Sequence, residues 1–458
     1  MIQSEDTIVA LSTPPGEGGV GIVRLSGPES IRITAAIFEA SSGRGFPCGR
    51  QRVFHGRIHD AEGYVLDEVL VHVMRAPRSY TREDVVEING HGGMLPLGAI
   101  LEEALRHGAR LARPGEFTQR AFLHGRIDLV QAEAVIDQIR ARTHAGLLAA
   151  NAAASGALSK KLHTFRATLA DALARIEAAV DFPEEDLPEL VDEALILRLH
   201  EAHAGMCHLL QTADLGRLVR EGAAAAIVGR PNAGKSSLFN ALLRDARAIV
   251  SAQPGTTRDR IEECITIAGV PLRLVDTAGL RTTEDEVERI GVDMARGALQ
   301  NANLALLVLD ASQPLTVEEH ELGRELAELG IPVVVVLNKC DLCPEPEVPA
   351  WASEFAGVAR MSALTGEGLK ALEETLGRLL LGGVSLSGAE ALLNHAHQKD
   401  SLRRACESLE RLLNDTHVSP EFLAMDLRET LAALGEITGE TTPEDLLDII
   451  FSKFCIGK

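Results

Sequence analysis

The stretch AAAAIVGRPNAGKSSLFNALL, residues 223–243, narrows the possible folds more than any other part of the chain. Six apolar residues run into Gly229, and Gly229 to Ser236 spell GxxxxGKS before an apolar-periodic run begins. Glycines at that spacing let backbone N–H groups converge, which works where a buried strand turns directly into a helix N-terminus. A strand buried on both faces needs parallel neighbours and crossover helices, so the loop commits its surroundings to an α/β layer fold. Converging N–H groups bind phosphate. Asn232, Ala233, Gly234, Lys235, Ser236 and Ser237 form the cradle; Lys235 reaches the outer phosphates and Ser236 offers its hydroxyl to magnesium.

The other parts of such a layer follow in order. Strand-like runs AAAAIVG, PLRLVDTAG, LALLVLDAS and PVVVVLNK alternate with helical stretches between residues 216 and 382, predicting a doubly wound sheet. Asn338, Lys339 and Asp341 come directly after the last of these runs. A carboxylate there can accept both N–H groups on the guanine edge, an option adenine does not offer, so the nucleotide is read as GTP. Ser362-Ala363-Leu364 resembles an accessory base-contact loop, Asp276-Thr277-Ala278-Gly279 the switch facing magnesium and the γ-phosphate, and Thr256 and Thr257 the first switch, with Thr257 a second magnesium ligand. Leu280 stands where Ras-like enzymes place a water-orienting Gln. Asn232 in the loop resembles that of potassium-activated GTPases, in which a monovalent cation supplies positive charge at the phosphates; Ser251, Gln253 and Thr256 are its further candidate ligands.

The flanks differ in character. Residues 1–118 carry short apolar runs (TIVALS, GVGIVRLSG, VLDEVLVHVMRAP, DVVEINGHGG) around the helical LPLGAILEEALRHG, predicting an α+β domain. Residues 119–215 turn helical, with 16 alanines between 131 and 180, and DFPEEDLPEL reads as an interhelix loop. Helical periodicity resumes over 383–458, so the two helical segments are read as one discontinuous domain into which the α/β unit is inserted. A net charge of −21 argues against broad nucleic-acid binding, and two tyrosines with one tryptophan exclude an extended stacking platform. The seven cysteines are read as scattered, reduced and largely structural, without a zinc site or disulfide framework, and His91 as part of a turn and not a metal ligand. No apolar run approaches the ~18 residues of a membrane span, and the start lacks a secretory signal; the expected location is the cytoplasm.

With GRPNAGKSS, GTTRD, DTAGLR, DEVERIG and NKCD in order, and with TPPGEGGVGIVRLSG, SYTREDVVEINGHGG, ARPGEFTQRAF, DLVQAEAV and the terminal FCIGK around them, the chain resembles the bacterial tRNA modification GTPases of the MnmE (TrmE) family over essentially its whole length. The resemblance implies a tetrahydrofolate-binding N-terminal domain, a helical domain in two segments and an inserted Ras-like P-loop domain. It also implies a homodimer and a flavin-dependent partner of the MnmG (GidA) type in a heterotetramer or larger complex. Together these would add a carboxymethylaminomethyl or aminomethyl group to C5 of the wobble uridine, position 34, of certain tRNAs, drawing one carbon from 5-formyl- or 5,10-methylene-tetrahydrofolate. Carried over by motif, Glu288 positions the hydrolytic water, Cys455 acts in the modification chemistry, and Arg24, Glu87, Arg126 and Lys458 hold the folate, with Arg126 replacing the lysine usual at its position. A regulatory or ribosome-assembly GTPase without modification chemistry is the other reading the nucleotide motifs allow. The N-terminal domain and FCIGK distinguish the two.

Overall fold

The structure, a computed structural model, describes residues 6–43, 45–47, 52–181, 192–245, 262–276, 299, 302–382, 392–414 and 419–458. It divides into two compact units, one formed by residues 1–136 with 431–458 and one by residues 137–430. The first unit is built on seven strands: β1 (Ile8–Leu11), β2 (Gly18–Ser26), β3 (Phe38–Ala40), β4 (Val53–His59), β5 (Val65–Met74), β6 (Val85–Gly92) and β7 (Arg110–Leu111). Their order is β3-β4-β5-β6-β2-β1-β7, antiparallel except where β7 runs parallel to β1. Period-two alternation sets the faces: Val69, Val71 and Val73 of β5 point inward while Glu68 and Leu70 face solvent. The inward face packs against helices Ser30–Ile37 and Met94–Arg106 through Ile33, Ile37, Leu97 and Ile100. The short runs expected to be strands became β1, β2, β5 and β6. VFHGRIH, passed over because only Phe54 and Ile58 of its inward positions are large and apolar, is the edge-proximal β4.

Beyond the sheet, helices Glu116–Leu123 and Glu444–Ser452 lie in the same unit, where Leu129, Ala132, Ile136, Ile450, Phe451 and Phe454 form a second small core. The largest fully buried side chain of the described residues is a charged one, Arg120. Its guanidinium donates to Asp6 Oδ1 at 2.7 Å, Glu83 Oε1 at 3.0 Å and Glu116 Oε1 at 3.1 Å, and Arg110 meets the same Glu116 carboxylate at 2.6 Å. A buried guanidinium is tolerated because carboxylates surround it.

The second unit holds the sheet that the phosphate loop demands. Strands β8 (Ala223–Val228), β9 (Glu262–Ile267), β10 (Val270–Asp276), β11 (Leu304–Asp310), β12 (Val333–Asn338) and β13 (Gly357–Arg360) take the order β13-β12-β11-β8-β10-β9. All neighbours are parallel apart from the β9–β10 hairpin. β8 and β12 are buried along their whole length, as expected of strands covered on both faces. Helices Lys235–Asp245 and Leu369–Leu381 cover one face through Leu238, Leu242, Leu372 and Leu376; Val317–Glu328 covers the other through Leu326. A capping box between Thr316 and Glu319 starts the last of these. Helices Glu193–Gln211 and Ala396–Asn414, on opposite sides of this sheet in sequence, pack against each other. DFPEEDLPEL lies outside the described residues apart from Asp181.

Candidate functional site

Parallel strands that end at one edge bring their carboxyl-terminal residues together, and ligands of such sheets bind at the edge where strand order reverses. Register places Asp310 opposite Asn338 and Asp276 opposite Ile227, so β8, β10, β11 and β12 deliver Gly229, Asp276, Asp310 and Asn338 to that edge. The phosphate loop follows β8. Asn232 takes a left-handed φ of 65°, and Lys235, buried, donates through Nζ to the carbonyls of Gly229 and Arg230 at 2.7 Å each, which closes the loop on itself. Ser236 and Ser237 stand exposed at the start of helix Lys235–Asp245, where hydroxyl and N–H groups reach an incoming phosphate. Hard oxygen donors of that kind suit magnesium.

Asn338 ties the site together. Its side chain, buried, donates from Nδ2 to Ala233 O at 2.9 Å and accepts at Oδ1 from Ala363 N at 2.9 Å, joining the phosphate loop to the Ser362-Ala363-Leu364 loop. Gly234, at φ 95°, passes so close that a Cβ there would lie 2.1 Å from Asn338 Nδ2. Lys339 at φ 68° pairs through Nζ with Asp310 Oδ2 at 2.6 Å. Burial raises the Asp310 carboxyl, but the Lys339 ammonium and the Ser312 hydroxyl and amide outweigh it and hold the group below the ordinary carboxylate range. Asp341 is exposed in the turn that follows, Ser362 is fully buried, and Leu364 is 85% exposed. That turn also carries a Cys340-x-x-Cys343 spacing, an exception to the reading of the cysteines as scattered; both are free thiols.

In the first unit the four residues assigned to a folate converge. Arg24 Nε donates to Glu87 Oε1 at 2.8 Å across the β2–β6 pairing, and Arg24 Nη1 donates to Gly457 O at 3.0 Å. Ser12 Oγ donates to the same carbonyl at 3.1 Å, which seats the FCIGK tail against β1 and places Lys458 beside Arg24. Gly457 is at φ 92°, and a Cβ there would meet Leu11 O at 2.2 Å, so only glycine permits this seating. Arg126 Nη1 donates to Tyr80 O at 3.0 Å, and the Arg126 guanidinium lies 4.7 Å from the centre of the Tyr80 ring. It also borders a cleft of about 380 Å³ with Phe122, Asp128, Gln131 and Glu440. A carboxylate beside guanidiniums fits a ligand with an amidine-like edge and a carboxylate tail. Cys455 is exposed, two residues before the docked glycine. His91 gives its ring Nδ1 to Asp67 at 2.6 Å, consistent with a turn role.

Two family models match the chain: the N-terminus of the GTP-binding protein TrmE over residues 7–126 and the MnmE helical domain over residues 129–455. The tRNA modification GTPase MnmE of Heliobacterium modesticaldum is 48% identical over 466 residues, covering 99% of each chain. That of Chloroflexus aurantiacus is 50% identical over 463 residues, covering 99% of this chain and all of its own. The chain belongs to the MnmE family of tRNA modification GTPases. MnmE of Geobacter sulfurreducens, 46% identical over 460 residues, covers 99% of both chains as well. The G domain of the Thermotoga maritima FeoB iron transporter is 29% identical over 34% of this chain and 96% of its own, with a TM-score of 0.27, too loose a likeness to carry weight.

For this MnmE chain, sequence reasoning named Asn338 as a base contact but not as the clamp it forms, and it missed Asp310, Tyr80 and the Gly457 carbonyl. Asp310 ends LVLDAS as a lone acid after an apolar run, which was its one available signal. Ser251, Gln253, Thr256, Thr257, Thr277, Ala278, Gly279 and Glu288 lie outside the described residues, and of Asp276 only the backbone is described. Among the described residues no helix is long and apolar enough to cross a membrane.

Proposed function

We propose that this chain is a potassium-dependent GTP hydrolase that acts, with a flavin-dependent partner of the MnmG type, on C5 of the wobble uridine of certain tRNAs, using a tetrahydrofolate one-carbon unit. The observation that carries the nucleotide half is the Asn338 clamp, which fixes the phosphate loop and the base loop to one sheet edge. Family membership supports the tRNA half, and the ion pair of Arg24 with Glu87 beside the docked tail supports the folate half. Lys235 and the N–H groups of residues 232–237 hold the phosphates; Asp341 accepts from the guanine edge; Glu288 orients the attacking water. Magnesium, held by Ser236 and Thr257, and potassium, held by Asn232, Ser251, Gln253 and Thr256, neutralise charge that builds on the phosphates during transfer. Glu87 and Arg24 orient the pterin, Arg126 and Lys458 face its anionic tail, and the Cys455 thiol is the nucleophile nearest that pocket in sequence. The active species is a homodimer working in the cytoplasm, with domain limits at residues 118, 215 and 382.

The test is mass spectrometry of wobble nucleosides from cells lacking this chain, alongside hydrolysis by the purified protein in potassium and in sodium. The proposal expects unmodified wobble uridine and a hydrolysis rate at least tenfold higher in potassium. A full complement of C5-substituted uridine would sink the tRNA role; equal rates in the two salts would sink the cation assignment alone.

A further inference from the structure

We propose that Tyr80 is a positioning residue of the tetrahydrofolate site, holding the guanidiniums of Arg24 and Arg126 on one aromatic ring; the inference rests on the folate reading above. Two like charges in one small pocket repel, and nothing in their own ion pairing brings these two together, since Arg24 pairs with Glu87 while Arg126 donates to a carbonyl. The ring is what they share. Arg126 lies 4.7 Å and Arg24 6.0 Å from its centre, distances at which the negative face of the ring attracts a cation. Phe117, at 5.6 Å from Arg24, adds a second ring to the same cation.

Tyr80 can do this only if it is itself held, and the surrounding contacts hold it. Its hydroxyl shares a hydrogen bond of 3.0 Å with the fully buried Thr118 Oγ1, and its carbonyl accepts from Arg126. The next residues are anchored as firmly. Thr81 Oγ1 lies 2.6 Å from the buried Ser26 Oγ, Thr81 O lies 2.6 Å from His124 Nδ1, and Glu83 accepts from both Ser26 and the buried Arg120. Arg120 thus reaches the pocket through two links: it fixes the loop that carries Tyr80 and the helix that carries Phe117 and Thr118. The other tyrosine, Tyr64, is 72% exposed at the β4–β5 turn and has no such company.

The experiment is calorimetric titration of the full chain with 5-formyl-tetrahydrofolate, comparing wild type, Tyr80→Leu and Tyr80→Phe, each checked for folding by circular dichroism and thermal melting. Losing both ring contacts is expected to weaken binding about tenfold in Tyr80→Leu, while Tyr80→Phe, which keeps the ring, stays within about threefold of wild type. A general structural defect would not be rescued by Phe in this pattern. Should Tyr80→Leu not fold, Tyr80→Met takes its place under the same criterion. Binding by Tyr80→Leu within twofold of wild type, or equal weakening by Phe and Leu, overturns the role of Tyr80 while leaving the folate reading intact. No binding by the wild-type chain overturns the folate reading itself, and this inference with it.

Discussion

Asn338→Ala tests whether the base loop and the phosphate loop are one device. Asn338 is 2% exposed, and both ends of its amide are spent on backbone groups, Ala233 O and Ala363 N, at 2.9 Å each. Truncation leaves a buried carbonyl and a buried N–H without their partner, at a cost of about 1–3 kcal/mol each. Relaxation of the loops recovers part of that, so we expect about 2–4 kcal/mol, which at about 1.4 kcal/mol per tenfold lowers GDP affinity by about 30- to 700-fold. Asn338→Asp should do no better: one oxygen still accepts from Ala363, but the other faces the Ala233 carbonyl with no proton between them. Gly234 supplies an internal check. Gly234→Ala on its own pushes a methyl group into Asn338 Nδ2, so the two substitutions made together should cost less than their sum. Displacement of a fluorescent GDP, with melting curves run with and without nucleotide, measures all four proteins. If Asn338→Ala binds GDP within threefold of wild type, the clamp reasoning is wrong.

Three further predictions address the first unit and the thiols. Arg120→Met leaves Asp6, Glu83 and Glu116 without their shared cation and should destabilise that unit by about 3–5 kcal/mol, read from its melting transition. Burial raises the Asp6 and Glu116 carboxyls, but their arginine partners outweigh it and hold both below their ordinary values. A carboxylate lowered in the folded state stabilises above the unfolded value of about 4 and loses that contribution as pH falls through the folded one. Wild type should therefore lose stability below about pH 4 more steeply than Arg120→Met. Gly457→Ala, forced against Leu11 O, should free the tail from Arg24 and weaken folate binding while moving the melting temperature little, because the residue is next to last. In a brief pulse of iodoacetamide followed by mass spectrometry, exposed Cys455 should be alkylated first and buried Cys406 last, since burial and the neighbouring Cys207 push the Cys406 thiol up. Equal labelling of the two would contradict both placements.

How much of this could be read from the sequence depends on where each constraint is stored. The phosphate loop was legible because its requirements are local: a buried run, glycines at fixed offsets and a helix start all lie within residues 223–243. The strands of the second sheet were legible for a related reason, since β8, β11 and β12 are covered on both faces and read as unbroken apolar runs. β4 was hidden, because on a strand with one solvated face Val53, His55 and Arg57 are free to be anything, and Gly56 occupies an inward position beneath Phe38. β9 and β13 were missed as well; both are edge strands, with one neighbour each and a weaker demand for apolar residues. The site divides in the same way. Lys235 and Asp341 could be named because their chemistry acts on a ligand and their spacing is set by one turn of chain. The Asn338 clamp spans 105 residues to Ala233, and the Arg24 contact with Gly457 spans 433. Neither separation leaves a periodicity or a composition to read. What makes Tyr80 a candidate is likewise invisible along the chain, where it is one aromatic between a serine and a threonine, and becomes evident only once strand β2 and the helix after Gly115 carry Arg24 and Thr118 to it. Residues that touch the ligand can therefore be recognised from local pattern, whereas residues that hold those groups in place have to be found from the fold. For that reason the informative substitutions in this chain are Asn338, Arg120, Tyr80 and Gly457: each changes the geometry of a site while leaving its ligand-facing groups in the sequence.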